Sequence, residues 1–452
     1  MISTSPLVRR GCTALSVFAM LALPLAARAQ NAQDTIPRAL TLGGAARLAA
    51  QQSSAALTAR FQAEQAGARA DQQRAALLPS LSANATRGGN TFNTVTFGIP
   101  FPGFSPTGTV IGPVNTVDVR ASAQVPIFNF SSIRAWHSAQ TNASASDAQA
   151  STAAQQAAAA AAGAYLATQR AAAQVDARRA DSVLADSLLQ IARSQIRAGV
   201  GVALDLTRAE AQVASVQAQL IAARNERDRA ELTLRRALGL PLDAQLSLVD
   251  SLGALPILDT LPSERAAVAR AMQRRPDLVA IDRQLLATQQ TVSAIRSERL
   301  PSLAAFGNEG FLGGDMSHML NTYTWGLEVS VPVFDGLRRS GRVQEQEARE
   351  KEIDERRRDL REQIATEVRG ALLDMNSARQ QLDAARERLR LAEQEVAQAR
   401  ERFRAGVAGN ADVITASLDL NSSRNQVIDA LTAYQSARVS LAQAQGAVTT
   451  LP

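Results

Sequence analysis

Apolar positions along this chain keep two different rhythms, and the switching between them predicts its elements. Over residues 378–444 the rhythm is seven. Leu382, Leu389, Val396 and Phe403 follow one another at that spacing, with Ala378, Ala385, Ala392 and Ala399 four positions before them. Val413, Leu420, Val427, Tyr434 and Leu441 continue it, with Ala416, Ser423, Ala430, Ala437 and Ala444 three positions behind. Such a repeat turns one narrow stripe of each helix toward its neighbour, and small residues at every second stripe position let the axes come close. A coiled two-helix hairpin is predicted, bent at Arg404-Ala405-Gly406-Val407. The same pattern, less strict, flanks Arg197-Ala198-Gly199-Val200, where Arg178, Ser182 and Arg227 occupy stripe positions. The helical reading from 133 to 198 covers 66 residues, about 100 Å at roughly 1.5 Å per residue. That far exceeds the thickness of one bilayer.

The second rhythm is two. Val117, Val119, Ala121, Ala123 and Val125 alternate with Asp118, Arg120, Ser122 and Gln124; Trp325, Leu327, Val329 and Val331 alternate with Gly326, Glu328 and Ser330. Leu81, Ala83 and Ala85 against Ser82, Asn84 and Thr86 make a third case, and 303–311 a weaker fourth. One apolar and one polar face over about ten residues suits a transmembrane barrel strand, with lipid on one side and water on the other. A half-buried strand on a soluble sheet is the alternative for any one of them. Four strands cannot close a barrel, because the smallest membrane barrels have about eight and an open edge in lipid leaves backbone groups unsatisfied. Chains must therefore pool strands, two copies giving eight and three giving twelve.

The chain is also written twice. Leu78-Pro79-Ser80-Leu81 returns as Leu300-Pro301-Ser302-Leu303, Val125-Pro126-Ile127-Phe128-Asn129 as Val331-Pro332-Val333-Phe334-Asp335, and Ile196-Arg197-Ala198-Gly199-Val200 as Phe403-Arg404-Ala405-Gly406-Val407. The offsets are 222, 206 and 207 residues, so the first half carries 16 extra residues between its first two landmarks. They fall near 99–113, read as a Pro/Gly-rich surface loop. The expected organisation is a signal peptide over 1–29, a first repeat over 30–240 with strands near 80–128, a Leu/Pro-rich linker over 241–262, and a second repeat over 263–452 with strands near 302–334.

Residues 1–29 carry the marks of an export signal: Arg9 and Arg10, a mostly apolar 11–26, and Ala27-Arg28-Ala29 with small residues where a peptidase cuts. A membrane anchor is the rival reading, but the apolar stretch is short and broken by Pro24. Cys12 lies ahead of the apolar core, badly placed for lipidation, and a chain cut after Ala29 holds no cysteine, which suits an oxidising periplasm. No later segment offers 18 consecutive apolar residues, so a membrane-entering protein must enter as strands.

With 452 residues, 46% hydrophobic, 4% aromatic and one Cys, the chain is too apolar for disorder and excludes both a disulfide scaffold and a thiolate zinc cluster. Without Arg9, Arg10 and Arg28 the 48 basic residues become 45 against 42 acidic, a balance of +3 that is no nucleic-acid footprint. The dense run 349–363 holds six basic and six acidic residues and reads as a self-neutralising solvated helix face. His137 and His318, the only histidines, lie in different halves without a matching acid and nucleophile pattern and are read as surface residues. Neither a catalytic triad nor a metal site is expected, and no cofactor.

The paired Leu-Pro-Ser-Leu approaches to the strands, the paired Val-Pro-x-Phe exits and the paired Arg-Ala-Gly-Val turns followed by Asp205 and Asp412 resemble the TolC-like outer-membrane efflux protein family over about 40–446. The segments 403–416 and 434–446 are the most similar part. The resemblance implies a mainly α fold with a small β part: duplicated coiled hairpins forming a trimeric α-barrel, and four strands per chain completing a twelve-stranded transmembrane barrel. It also implies a homotrimer in outer-membrane lipid, a periplasmic adaptor and an inner-membrane pump as partners, and a passive duct rather than an enzyme.

Individual residues carry two readings. Gly199 and Gly406 stand where left-handed helix caps are needed; the resemblance adds an adaptor contact there, shared by Arg197, Val200, Arg404 and Val407. Asp205 and Asp412 lie six residues past those glycines and read as N-caps or first-turn acids. The resemblance also places Asp412 in the pore constriction, where symmetry-related carboxylates would attract cations. This chain departs from the family's most familiar gate in having Thr415 and Ala408 where a second acid and a basic partner can stand, which implies a looser gate. Pro126 and Pro332 are read as strand-to-helix swivels or as ordinary strand stops. Trp325 is read as an interfacial belt residue or a packed one. Export of small molecules leads the functional readings; an exit duct for one-step protein secretion and an exported, non-pore coiled-coil structural protein are the alternatives.

Overall fold

The computed structural model describes residues 39–97, 108–257, 260–405, 407 and 409–452. The expected signal peptide, residues 99–107 of the expected loop, Gly406 and Ala408 lie outside the described residues. Each half has the same order of elements. The first comprises α1 (Leu42–Gln52), α2 (Ser54–Ala75), β1 (Ser80–Asn93), β2 (Val110–Phe128), α3 (Phe130–Arg197) and α4 (Ala203–Leu238). The second comprises α5 (Glu264–Arg274), α6 (Pro276–Ser297), β3 (Ser302–Gly313), β4 (Met319–Ser330), α7 (Arg338–Arg404) and α8 (Asn410–Ala444). α3 and α7 run for 68 and 67 residues, about 100 Å each at roughly 1.5 Å per residue.

Local chemistry sets the breaks. Ser53 ends α1 and caps α2, its hydroxyl accepting from Ala56 N at 3.2 Å. In the second half Pro276 opens α6 at a position where its missing N–H costs nothing. Asn129 caps α3 through Ser132 N at 3.1 Å, and Gly239, at φ +71°, closes α4. The seven-residue stripes of α7 and α8 face each other: Ala378, Leu382, Ala385, Ala392, Val396 and Phe403 are buried, as are Val413, Ala416, Leu420, Ser423, Ala430, Tyr434, Ala437 and Leu441. The charged run of α7 neutralises itself through Arg356–Glu352 at 2.5 Å and Arg357–Asp354 at 3.0 Å, with Arg357 also reaching Asp282 of α6 at 3.5 Å.

The largest core lies where the short helices meet the long ones: Leu40, Leu42, Ala45, Ala46 and Ala49 against Ala158, Ala161, Ala162 and Tyr165 of α3, with Leu234 and Leu238 of α4. The segment joining the halves contributes Leu252 and Leu255 to it. The same segment supplies Asp250, whose Oδ2 accepts from Leu42 N at 3.0 Å and from Tyr165 Oη at 3.0 Å. Burial pushes the Tyr165 phenol up to about 12; the hydrogen bond with Gln169 pulls it down, and the charge of Asp250 beside it pushes it up. Tyr165→Phe is expected to cost about 1–3 kcal/mol at neutral pH, the range for stripping a buried hydrogen bond. A phenol with a raised folded pKa keeps its contribution below the unfolded value of 10.0 and loses it toward about 12. Unfolding followed by circular dichroism in detergent should therefore show an alkaline loss across that window in the native chain and none in the variant.

The four strands form one antiparallel sheet in the order β1-β2-β3-β4, and among the described residues β1 and β4 are open edges. Val110–Pro113, expected in the loop, belong to β2: Val110 and Ile111 pair with Asn93 and Phe92. A register shift between Asn90 and Phe92 gives the ladder the irregularity at which a proline is tolerated. At the other end Val331 and Pro332, expected to end the fourth strand, lie just past β4, because an edge strand offers its last residues no second partner.

Candidate functional site

Both hairpin bends are tight. At the first, Gly199 takes φ +72°, and the N–H groups of Val200 and Gly201 donate to Gln195 O at 3.1 and 3.0 Å. Gly201 has its own reason to be glycine: a Cβ there would stand 2.6 Å from Ile196 N. At the second, Val407 N donates to Arg402 O at 3.0 Å. Arg197, Val200, Arg404 and Val407 are all exposed around these bends, as are Val202 and Leu204.

Asp205 and Asp412 sit in the first turns of α4 and α8, whose cap positions are held by Val202 and Gly409, so neither acid is an N-cap. Both complement the positive end of a helix dipole. Asp205 is half-buried with Arg208 at 3.8 Å, whereas Asp412 is exposed. Thr415, one turn on, is exposed and donates to Ala411 O at 3.0 Å.

Polar ties between the two hairpins escape a periodicity reading. Asn410, fully buried at the start of α8, donates from Nδ2 to Asp205 O at 3.0 Å, and Gln195 Nε2 donates to Phe403 O at 3.1 Å. Higher up, the stripe residue Arg178 finds its explanation: with Arg424 it flanks the buried Asp181, at 3.3 and 2.9 Å, and it also donates to Asn421 Oδ1. Burial raises the Asp181 pKa, against the lowering pull of Arg424 and Arg178. The signal that could have found these residues is a broken duplication. Asn410, Gln195, Arg178, Asp181, Asn421 and Arg424 have Ala203, Arg402, Ala385, Arg388, Ala214 and Gln217 as their counterparts at the offset of 207.

The sheet is two-faced. Directly paired residues share a face, so Leu81, Ala83 and Ala85 lie with Val119, Ala121 and Ala123, with Ala305 and Phe311, and with Trp325, Leu327 and Val329. Trp325, 79% exposed, is not packed within the chain. Glu309 departs from the alternation: it lies on this apolar face and accepts from Asn321 Nδ2 at 3.3 Å. The opposite face carries Arg120, which donates to Asn308 Oδ1 at 3.2 Å and Thr322 Oγ1 at 3.3 Å.

Pro126 sits inside β2 where the register slips before Phe128, and Asn129 then starts α3. Pro332 precedes Gly336 and Leu337, both left-handed at φ +65° and +67°, before α7 begins. His137 on α3 and His318 in the β3–β4 turn are exposed; the latter lies 3.0 Å from Asp315.

Long paired hairpins that carry a four-stranded sheet with one apolar face define a class of fold, a helical shaft joined to a short antiparallel sheet. Comparison places the chain in a known family with that fold. It belongs to the outer membrane efflux protein family, whose model matches residues 45–240 and 267–447. Among curated proteins it is 26% identical over 269 residues to the toluene efflux pump outer membrane protein TtgC of Pseudomonas putida, and 26% over 273 residues to the pyoverdine export outer membrane protein OpmQ of the same species. Those alignments cover 57% and 58% of this chain, and the chain spans about half (53%) of each relative. Solved structures extend the likeness to the fold. The Campylobacter jejuni CmeC outer membrane channel superposes with a TM-score of 0.74 at 18% identity, covering 90% of this chain and 85% of the other. The Neisseria gonorrhoeae MtrE channel in its open state gives 0.73 at 19%, covering 90% and 89%.

Proposed function

We propose that this chain is one wall segment of a passive exit duct that crosses the outer membrane and continues through the periplasm. The observation that carries the proposal is the four-stranded sheet, apolar on one face and, among the described residues, unpaired along both edges. A bilayer tolerates such a sheet only when other strands close it. Three copies would make a twelve-stranded barrel, with the hairpins below it lining a tube. The relatives' names concern toluene, antibiotics and pyoverdine, which supports small-molecule cargo. An inner-membrane pump would supply the energy, and a periplasmic adaptor would dock at the two bends, on the exposed Arg197, Gly199, Val200, Arg404 and Val407 and on Gly406.

In this reading Asp412 faces the constriction, with Thr415 beside it and Asp205 behind, and Pro126 and Pro332 turn barrel strands into tube helices. Purified from detergent and placed in a planar bilayer, the protein is expected to behave as a trimer by mass and to conduct ions. Asp412→Ala should weaken cation preference and relieve block by multivalent cations. A stable, non-conducting monomer would overturn the duct, and an unchanged selectivity in the variant would remove Asp412 from the constriction.

A further inference from the structure

In the first half the apolar face of the sheet runs on into the helices. Phe128 pairs with Leu303, and Leu303 with Val329, so the Phe128 ring lies on the face of Val329 and Trp325. That ring meets Phe130 edge to face with centroids 4.1 Å apart, which carries the face onto the first turn of α3. Phe130, Arg134 and His137 then follow at spacings of four and three, all exposed along one side of the helix. Trp136 sits beside them, its ring centroid 5.0 Å from that of His137. Arg74, near the end of α2, holds its guanidinium 6.0 Å from the Trp136 centroid, at the reach of a cation–π contact.

Both cations of this surface lack a carboxylate. Among the described residues Arg74 has no ion pair or hydrogen bond, not even to Asp71 three residues before it. Arg134 donates to Ser293 O at 3.3 Å and to Ser297 Oγ. The duplication shows that this is peculiar to the first half. At the offsets of 222 and 206, Arg74 and Trp136 become Arg296 and Arg342, and each is neutralised, Arg296 by Glu347 at 2.6 Å and Arg342 by Glu298 at 2.8 Å. Ala76 and Thr141 occupy the positions of those two carboxylates in the first half, and Ser340 is the counterpart of Arg134.

We infer that Arg74, with Trp136 against its guanidinium, holds the phosphate of an anionic phospholipid in the membrane leaflet next to the helices. The inference rests on the duct reading, which puts the apolar face in lipid, and adds a headgroup site to it. The depth fits. The Trp136 backbone lies about 9 Å below Phe130 along α3 at roughly 1.5 Å per residue, and helical side chains lean back toward the N-terminus. A headgroup layer occupies about 5–8 Å on each side of the hydrocarbon. The chemistry fits as well. A guanidinium offers a phosphate paired N–H donors while one of its faces lies on an aromatic ring, and the exposed Phe128 and Phe130 form the apolar rim against which the acyl chains would lie. A zwitterionic headgroup would bring its own ammonium toward Arg74 and Arg134, so the surface favours a headgroup of net negative charge.

The chain's two tryptophans are Trp136 and Trp325, so a Trp325→Phe background leaves Trp136 as the sole reporter. In phosphatidylcholine vesicles its emission is expected to be quenched more by phosphatidylglycerol brominated early in the acyl chains than by equally brominated phosphatidylcholine. The association preference should be about fivefold, the effect of one basic residue at an anionic surface. Arg74→Gln should bring the preference close to one. Arg296→Gln, which removes the same charge at the equivalent position of the second half, should leave it intact. Both arginines are exposed, and ion conduction by each variant checks that it is folded. Potassium phosphate should lower the preference no more than potassium chloride at the same ionic strength. Equal quenching by the two lipids in a protein that conducts ions overturns the lipid site and spares the duct, as does an equal loss in the two arginine variants. A loss specific to inorganic phosphate makes a free anion the ligand and also overturns the lipid site. A protein that does not enter the vesicles overturns both readings.

Discussion

Leu327→Arg is expected to prevent assembly in the membrane, while Glu328→Arg, one residue away, is tolerated. Leu327 is 67% exposed on the face it shares with Trp325 and Val329. An arginine on the lipid side of a barrel costs about 2–4 kcal/mol near the bilayer midplane, and every copy in the assembly bears that cost. Glu328 points to the opposite face with Thr322 and Thr324, the face that would meet water in the proposed duct. Flotation of membranes on a density gradient, followed by native mass of the extracted protein, reads the difference. Equal assembly of the two variants would show that this face does not meet lipid.

Asp181→Ala should destabilise the helical part by roughly 2–4 kcal/mol, the scale for removing one partner of a buried ion pair, discounted because Arg178 and Arg424 keep partial solvent access. Asp181→Asn should cost less than the alanine variant, since the amide oxygen can still accept from one of the two arginines that the separate carboxylate oxygens serve. The raised pKa of Asp181 sharpens the contrast. A carboxyl whose folded pKa exceeds its unfolded value of 3.8 contributes most when protonated, and that contribution fades as pH rises above about 4. Native protein should therefore lose stability relative to Asp181→Asn between acid and neutral pH. Thermal unfolding of the two proteins over that range measures it, and parallel pH curves would mean that the carboxyl does not titrate in this environment.

Much of the architecture was legible because repetition amplifies weak signals. One alternating segment such as Leu81 to Thr86 suits many folds; the same alternation four times, bracketed by matching Pro-Ser-Leu and Val-Pro motifs, suits few. The seven-residue stripe of α7 and α8 was legible for the same reason. The polar ties were not, because an Asn at 410 or a Gln at 195 looks like ordinary helix surface until the partner helix is in place. Their backbone acceptors, Asp205 O and Phe403 O, carry no side-chain signature at all. The part of the 99–113 loop that proved to be strand was hidden by its glycine and proline, residues that usually end a ladder but here sit beside a slip in register. The bend at Gly199 was legible from its motif, while Gly201 answers to a close backbone approach visible only in three dimensions.

The ties have a mechanical consequence. Arg178, Asp181, Asn421 and Arg424 lace the first hairpin of a chain to its second, with Asn410 and Gln195 below them. At the offset of 207 the corresponding positions hold Ala385, Arg388, Ala214, Gln217, Ala203 and Arg402, which cannot reproduce that lacing. Each polypeptide is then stiff across its width, and in the proposed duct it would act like a stave in a cask, joined more loosely to its neighbours. In the proposed duct, any dilation of the far end would be borne by the joints between chains.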